Sequence, residues 1–166
     1  MKERNPEIQT ITVAKKYPNV LEVKITAYRP TALLETTNGF VALAGDGHIL
    51  YKTKDDNKRL PKIRFYQKFN SDTITAGLDV SYKEIKDSLT FLTTIEDLGL
   101  MVDRVDINST GVILCNLKDK IIIFTSEGDI KQQIYWLQTL VRQFKIEGKE
   151  FKSLDLRFDK PIVKFE

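Results

Sequence analysis

Side chains able to do chemistry are few in this chain of 166 residues. Its one histidine, His48, directly follows Gly45-Asp46-Gly47 and opens a strand-like run, the setting of a surface residue beside a hairpin turn. No second histidine can complete a zinc site, and no nucleophile elbow accompanies a Ser-His-Asp option. Gly45-x-Gly47 leads into a strand rather than a helix, so it lacks the helix N-terminus that a phosphate loop needs. Asp103, Asp106 and Asn108 form a sparse array that does not share one strand face. They also lack the glycine and terminal glutamate of a calcium loop. Asp155 and Glu166 are two carboxylates with nothing to set them across a cleft. The single cysteine, Cys115 in GVILCNL, reads as a small buried hydrophobe, and alone it excludes an intrachain disulfide or a cysteine metal cluster. The expectation is no catalytic residue, no cofactor and no metal.

One charged stretch stands out. Residues 52–68, KTKDDNKRLPKIRFYQK, carry seven cations (Lys52, Lys54, Lys58, Arg59, Lys62, Arg64 and Lys68) against Asp55 and Asp56, with Phe65 and Tyr66 among them. Cations interleaved with aromatics are what a nucleic-acid or anionic-polymer binder would use. The plainer reading is a solvated loop whose aromatics turn into the core. A formal net charge of +3 argues for neither nucleic acid nor membrane as a partner. No run of 18 apolar residues spans a bilayer, and MKERNPEI lacks the basic-then-apolar start of a signal peptide. With 42% hydrophobic and 30% charged residues, the composition is that of a globular chain.

The elements that must position these residues follow from periodicity. QTITVAKK and VLEVKITAY alternate apolar and polar around the turn Tyr17-Pro18-Asn19, giving a hairpin whose apolar face needs a helix or another sheet over it. TALLE, FVALA and HILYK are three strands joined by Thr36-Thr37-Asn38-Gly39 and Gly45-Asp46-Gly47, with a further strand near 62–66. Residues 80–98 read as a helix opened by a Ser81/Glu84 capping box, buried through Ile85, Leu89, Leu92 and Ile95 and stopped by Gly99. VDRVDINS, GVILCNL and KIIIFTS are three more strands. A second helix starts near Asp129, buries Ile130, Ile134, Leu137, Val141 and Phe144, and ends near Gly148. The fold class expected is α+β, an antiparallel meandering sheet packed against two main helices. In the closing FKSLDLRFDKPIVKFE, Leu154, Leu156 and Phe158 share one parity while Val163 and Phe165 have the other. Something at 159–161 must therefore turn or bulge the chain. Pro161 belongs at an edge or bulge because it has no N–H to donate.

Taken in order, these segments resemble one family along almost the whole chain. Pro6, Ile8, Val13, Pro18, Leu21, Val23, Ile25, Arg29-Pro30 and Ala32 resemble the second half of the polypeptide-transport-associated (POTRA) domain of the FtsQ/DivIB bacterial cell-division proteins. GFVALAGDGHIL, KIIIFTSEGDIKQQIYWLQTLVRQF and the Asp155-Leu156-Arg157-Phe158 signature resemble that family's β domain. Tyr28 departs from the glutamate common before the Arg-Pro. The resemblance implies a truncated POTRA part at 1–34, lacking its first strand and helices, and a β domain at 35–166. It also implies a cytoplasmic tail and one membrane-spanning helix upstream, so that this region would lie extracytoplasmically on a single-pass protein of the cell membrane. It implies a non-enzymatic divisome scaffold in septum formation that binds partners of the FtsB/DivIC and FtsL type, not nucleic acid, through its C-terminal strand region. An edge strand suits that role, because unpaired N–H and C=O groups accept a partner strand. The residues expected to bind are Arg157, Phe158, Pro161, Ile162, Val163, Lys164 and Phe165, with Lys160 and Lys164 limiting promiscuous pairing. The plainer alternative is a terminal strand whose Val163 and Phe165 simply close the core. A nucleic-acid-binding domain using residues 52–68 is the alternative of a different class.

Overall fold

The structure, a computed structural model, describes residues 5–56 and 59–165. Two sheets are present. β1 (Ile8–Lys16) and β2 (Val20–Ala27) form a two-stranded antiparallel ribbon. The other nine strands are β3 (Pro30–Thr36), β4 (Gly39–Ala44), β5 (Ile49–Thr53), β6 (Lys62–Phe65), β7 (Val102–Ile107), β8 (Val112–Leu117), β9 (Ile121–Thr125), β10 (Phe151–Asp155) and β11 (Ile162–Phe165). They make one sheet in the order β11-β10-β9-β8-β7-β6-β3-β4-β5. The division at 34/35 implied by the family resemblance falls within β3.

The sheet is mixed rather than antiparallel throughout. β3–β6, β6–β7 and β9–β10 pair in parallel. The cause lies in the connections. Helix α1 (Lys83–Asp97) joins β6 to β7, and helix α2 (Ile130–Glu147) joins β9 to β10. A helical crossover returns the chain to the end of the sheet where it started, so the next strand runs the same way. The loop after β5 likewise carries the chain back to lay β6 beside β3.

Both helices lie on one sheet face. Ile85, Leu89, Phe91, Leu92 and Ile95 of α1, with Leu137, Val141 and Phe144 of α2, share a core with Leu34, Val41, Ile63, Val105, Ile113, Ile122, Phe124 and Leu154. Phe91 and Phe124 stack at 3.8 Å between centroids at its centre. Cys115 is fully buried in this layer, and burial, followed by the nearby Asp106, raises its thiol pKa far above the ordinary range. The opposite face carries only a small cluster of Leu33, Ala42, Ala44 and Leu50 under Tyr28, Phe40, Tyr51 and Leu60.

Helix ends divide by whether local chemistry decides them. At α2 the Asp129 carboxylate accepts from the Lys131 and Gln132 N–H groups, and Gly148 adopts φ 64° to close the C-terminus. At α1 the expected capping box is not formed. The helix starts at Lys83 behind Tyr82, which offers no side-chain cap. Tyr82 instead packs on Phe65 and Phe69 at 5.2 and 5.1 Å, so tertiary packing sets this start.

Candidate functional site

The nine-stranded sheet has two edges, and they are finished differently. Along β5, Ile49 N–H donates to the Leu78 carbonyl and Gly77 N–H donates to the Ile49 carbonyl, while His48 and Asp79 form a bridge. Lys52, exposed, guards the remainder of that edge. His48 is therefore structural here: its Nδ1 lies 2.9 Å from Asp79 Oδ1, and its ring stacks on Tyr28 at 4.6 Å. Along β11, no strand covers the outer side among the described residues.

Which backbone groups β11 presents outward follows from β10. Leu156 N–H donates to the Ile123 carbonyl, so the even residues of β10 point their amides toward β9 and the odd residues toward β11. The register pairs Asp155 with Ile162 and Ser153 with Lys164. Those are the hydrogen-bonded pairs, which leaves the N–H and C=O of Val163 and Phe165 on the open side. Pro161 shares their parity, so its missing N–H removes no ladder bond. The parity switch in the closing sequence is thus a hairpin reversal over residues 157–160.

Side chains along this edge divide between the two sheet faces. Val163 is half-buried against the helix-side core, and the Phe165 ring meets the Phe144 ring at 5.4 Å in a T-shape. Phe165 remains 48% exposed and Ile162, on the helix-free face, 51%. Lys164 projects beside Ile162 into solvent. The reversal is braced by Arg157, whose Nε and Nη2 donate to the two Asp155 carboxylate oxygens at 2.9 and 2.6 Å. Burial pushes the Asp155 carboxyl up, and the bonds from Arg157 more than offset that, holding it below the usual carboxylate range.

Sequence reasoning placed Phe158 with Leu154 and Leu156 on one apolar face. Leu156 is buried, but β10 ends at Asp155 and Phe158 turns out to 52% exposure, with the Arg157 guanidinium over its ring. The bend that starts at Arg157 breaks the strand alternation before Phe158 is reached. The edge brings Pro161, Ile162, Val163, Lys164 and Phe165 together, with Arg157 and Phe158 on the reversal beside them. Phe144 was read from the sequence as core alone. Its contact with Phe165 makes it the floor under the edge, a role that periodicity within one helix does not reveal.

Within residues 52–68, two of the described cations are paired with carboxylates. Lys62 pairs with Asp56 at 2.5 Å, and Arg64 pairs with Glu35 at 3.1 Å and approaches Asp106 at 3.8 Å. Phe65 is buried in the core and Tyr66 is exposed. Lys58 and Glu166 lie outside the described residues. Among the described residues no group of three or more His, Cys, Asp or Glu could hold a metal ion, and no helix is long and apolar enough to cross a membrane.

No family model and no curated protein matches the sequence. Among solved structures, the chain is similar to the major extracytoplasmic domain of the trans isomer of the bacterial cell division protein DivIB from Geobacillus stearothermophilus, with a TM-score of 0.39 and 14% sequence identity over 61% of this chain and 81% of that one.

Proposed function

We propose that this chain is a non-catalytic docking module that captures an extended segment of a partner protein on the outer side of β11. The observation that carries the reading is the contrast between the two edges: β5 is capped at its start by residues 77–79, whereas among the described residues nothing pairs with the outward backbone groups of Val163 and Phe165 on β11. An incoming strand would pair with those groups, and its side chains would meet Phe165 and Val163 on the helix side and Ile162 and Lys164 on the other. The sequence resemblance to FtsQ/DivIB supplies the biological setting. In that setting the chain is a divisome scaffold active in septum formation, with 1–34 the end of a POTRA unit and 35–166 the β domain. Its partner is a coiled-coil division protein of the FtsB/DivIC or FtsL type, and it works outside the cytoplasm on a membrane-anchored protein.

The test is capture of an FtsB/DivIC-type ectodomain by isothermal titration. Phe165→Asp is expected to abolish binding while the domain still melts cooperatively, because Phe165 is only half-buried. Equal affinity for wild type and variant sinks the assignment of β11 as the docking strand.

A further inference from the structure

A cavity lies away from β11, on the helix-free face at the ends of β3, β6 and β7. It is an open cleft of about 540 Å³ lined by Glu35, Arg64, Tyr66, Lys68, Asp106 and Asn108, among others. That volume lies within the usual range for small-molecule sites, roughly 300–1,000 Å³. Several of its polar groups are oriented by hydrogen bonds. Arg64 Nε donates to Glu35 Oε2 at 3.1 Å and its Nη1 lies 3.8 Å from Asp106 Oδ1, which leaves Nη2 of its fork to a ligand. Asp106 Oδ2 accepts from Arg104 Nε at 2.9 Å and from Asn116 Nδ2 at 2.8 Å, fixing the carboxylate from behind.

Asn108 carries the most specific signal. Its Oδ1 accepts from Thr110 N–H at 3.0 Å, from the Thr110 hydroxyl at 2.9 Å and from Val112 N–H at 2.9 Å. With its carbonyl oxygen saturated by the turn, the amide NH₂ is the group it has to offer. Beside it, the Tyr66 ring is 44% exposed and backed by Phe65 at 4.3 Å between centroids.

The cleft therefore alternates donors (Arg64, Asn108, Lys68) with acceptors (Glu35, Asp106) next to an accessible aromatic ring. Two carboxylates oppose an anion, and a guanidinium with an ammonium opposes a cation. An apolar ligand would strand the polar groups. A ligand whose hydroxyls both donate and accept, and whose C–H face can rest on a ring, satisfies all of them.

We propose that this cleft is a subsite for a polyhydroxylated, saccharide-type ligand of about disaccharide size. The ligand stacks on Tyr66 and exchanges hydrogen bonds with Arg64, Asn108 and Asp106. It is independent of the docking edge.

Titration of the isotope-labelled chain with cellotetraose, chitotetraose and maltotetraose, followed by NMR, tests it. At least one of them is expected to give saturable millimolar shifts at Tyr66, the Arg64 Nε–H and the Asn108 side-chain amide. Tyr66→Ala is expected to weaken that binding at least about fivefold, and so is Asn108→Asp, which keeps an acceptor oxygen for the turn and replaces the NH₂ donor with a charged carboxylate oxygen; this is the equivalent of one hydrogen bond or stacking contact. Phe165→Asp is expected to leave it unchanged, so this result and the fate of the docking edge are read separately. Absence of saturable shifts with all three sugars overturns the proposal. So do shifts that survive both substitutions, and so does tighter binding of decathymidylate in the same cleft, which would mark an anion site.

Discussion

A pair of proline substitutions one residue apart distinguishes the two sides of β11. Lys164 pairs with Ser153 across the ladder, so Lys164→Pro removes an inward N–H and leaves the Ser153 carbonyl without its partner. The lost bond is worth about 1 kcal/mol and an orphaned partner about 1–3 kcal/mol, so the strand should be weakened by roughly 2–4 kcal/mol. Val163→Pro removes an outward N–H that bonds nothing within the fold. Its cost is the trimming of a half-buried valine plus the fixed proline φ in an edge strand, roughly 1–2 kcal/mol and less than that of Lys164→Pro. Native-state amide exchange reads the same geometry in the wild type: Ile162 and Lys164 amides should be protected, and Val163 and Phe165 amides should exchange close to the unstructured rate. In the partner titration, Val163→Pro should abolish capture while destabilising the fold less than Lys164→Pro, because the ring both deletes a donor and obstructs the approaching strand. Protection of Val163 equal to that of Lys164 would refute the parity assignment, and with it the description of the docking surface.

Three further outcomes follow from the core and the reversal. Phe91→Ala should cost about 3–5 kcal/mol by removing a fully buried ring stacked on Phe124, lowering Tm by roughly 10 °C in a thermal scan. Asp155, held below the usual carboxylate range in the folded state, contributes stability that is present above about pH 4 and is lost as pH falls through its lowered folded value. Asp155→Asn should therefore flatten the acid limb of a denaturation-versus-pH curve, and an unchanged limb would remove Asp155 from the account. Cys115 should react with a thiol reagent only as fast as the domain opens, so its rate should track denaturant concentration rather than the pH of the folded state.

How much of this was legible varies element by element. The second helix was readable to within a residue, because Asp129, the apolar stripe and Gly148 are local signals that act on the adjacent backbone. The first helix was readable in its buried face but not in its start, since Tyr82 is held by Phe65 and Phe69 from distant parts of the chain. Strand alternation identified nearly every strand, yet it carries no information on neighbours. A period of two states which side chains share a face and is silent on which strand lies alongside. The parallel pairings β6–β7 and β9–β10 could have been anticipated from the helices between those strands, whereas β3–β6 depends on how an irregular loop closes.

The sequence by itself determined that the chain is α+β, that its lone histidine and cysteine stand far apart along the chain, and that its last strand is headed by a proline. Those properties depend on composition and on spacing along one segment. Only the tertiary structure decided that β11 lies at the sheet edge, that its outward amides are those of Val163 and Phe165, and that Phe144 floors it. It also decided that Arg64, apparently one cation of a basic run, is fixed between Glu35 and Asp106 in a cleft. Each of these depends on groups far apart in sequence, and long-range register is set by packing that no local pattern encodes.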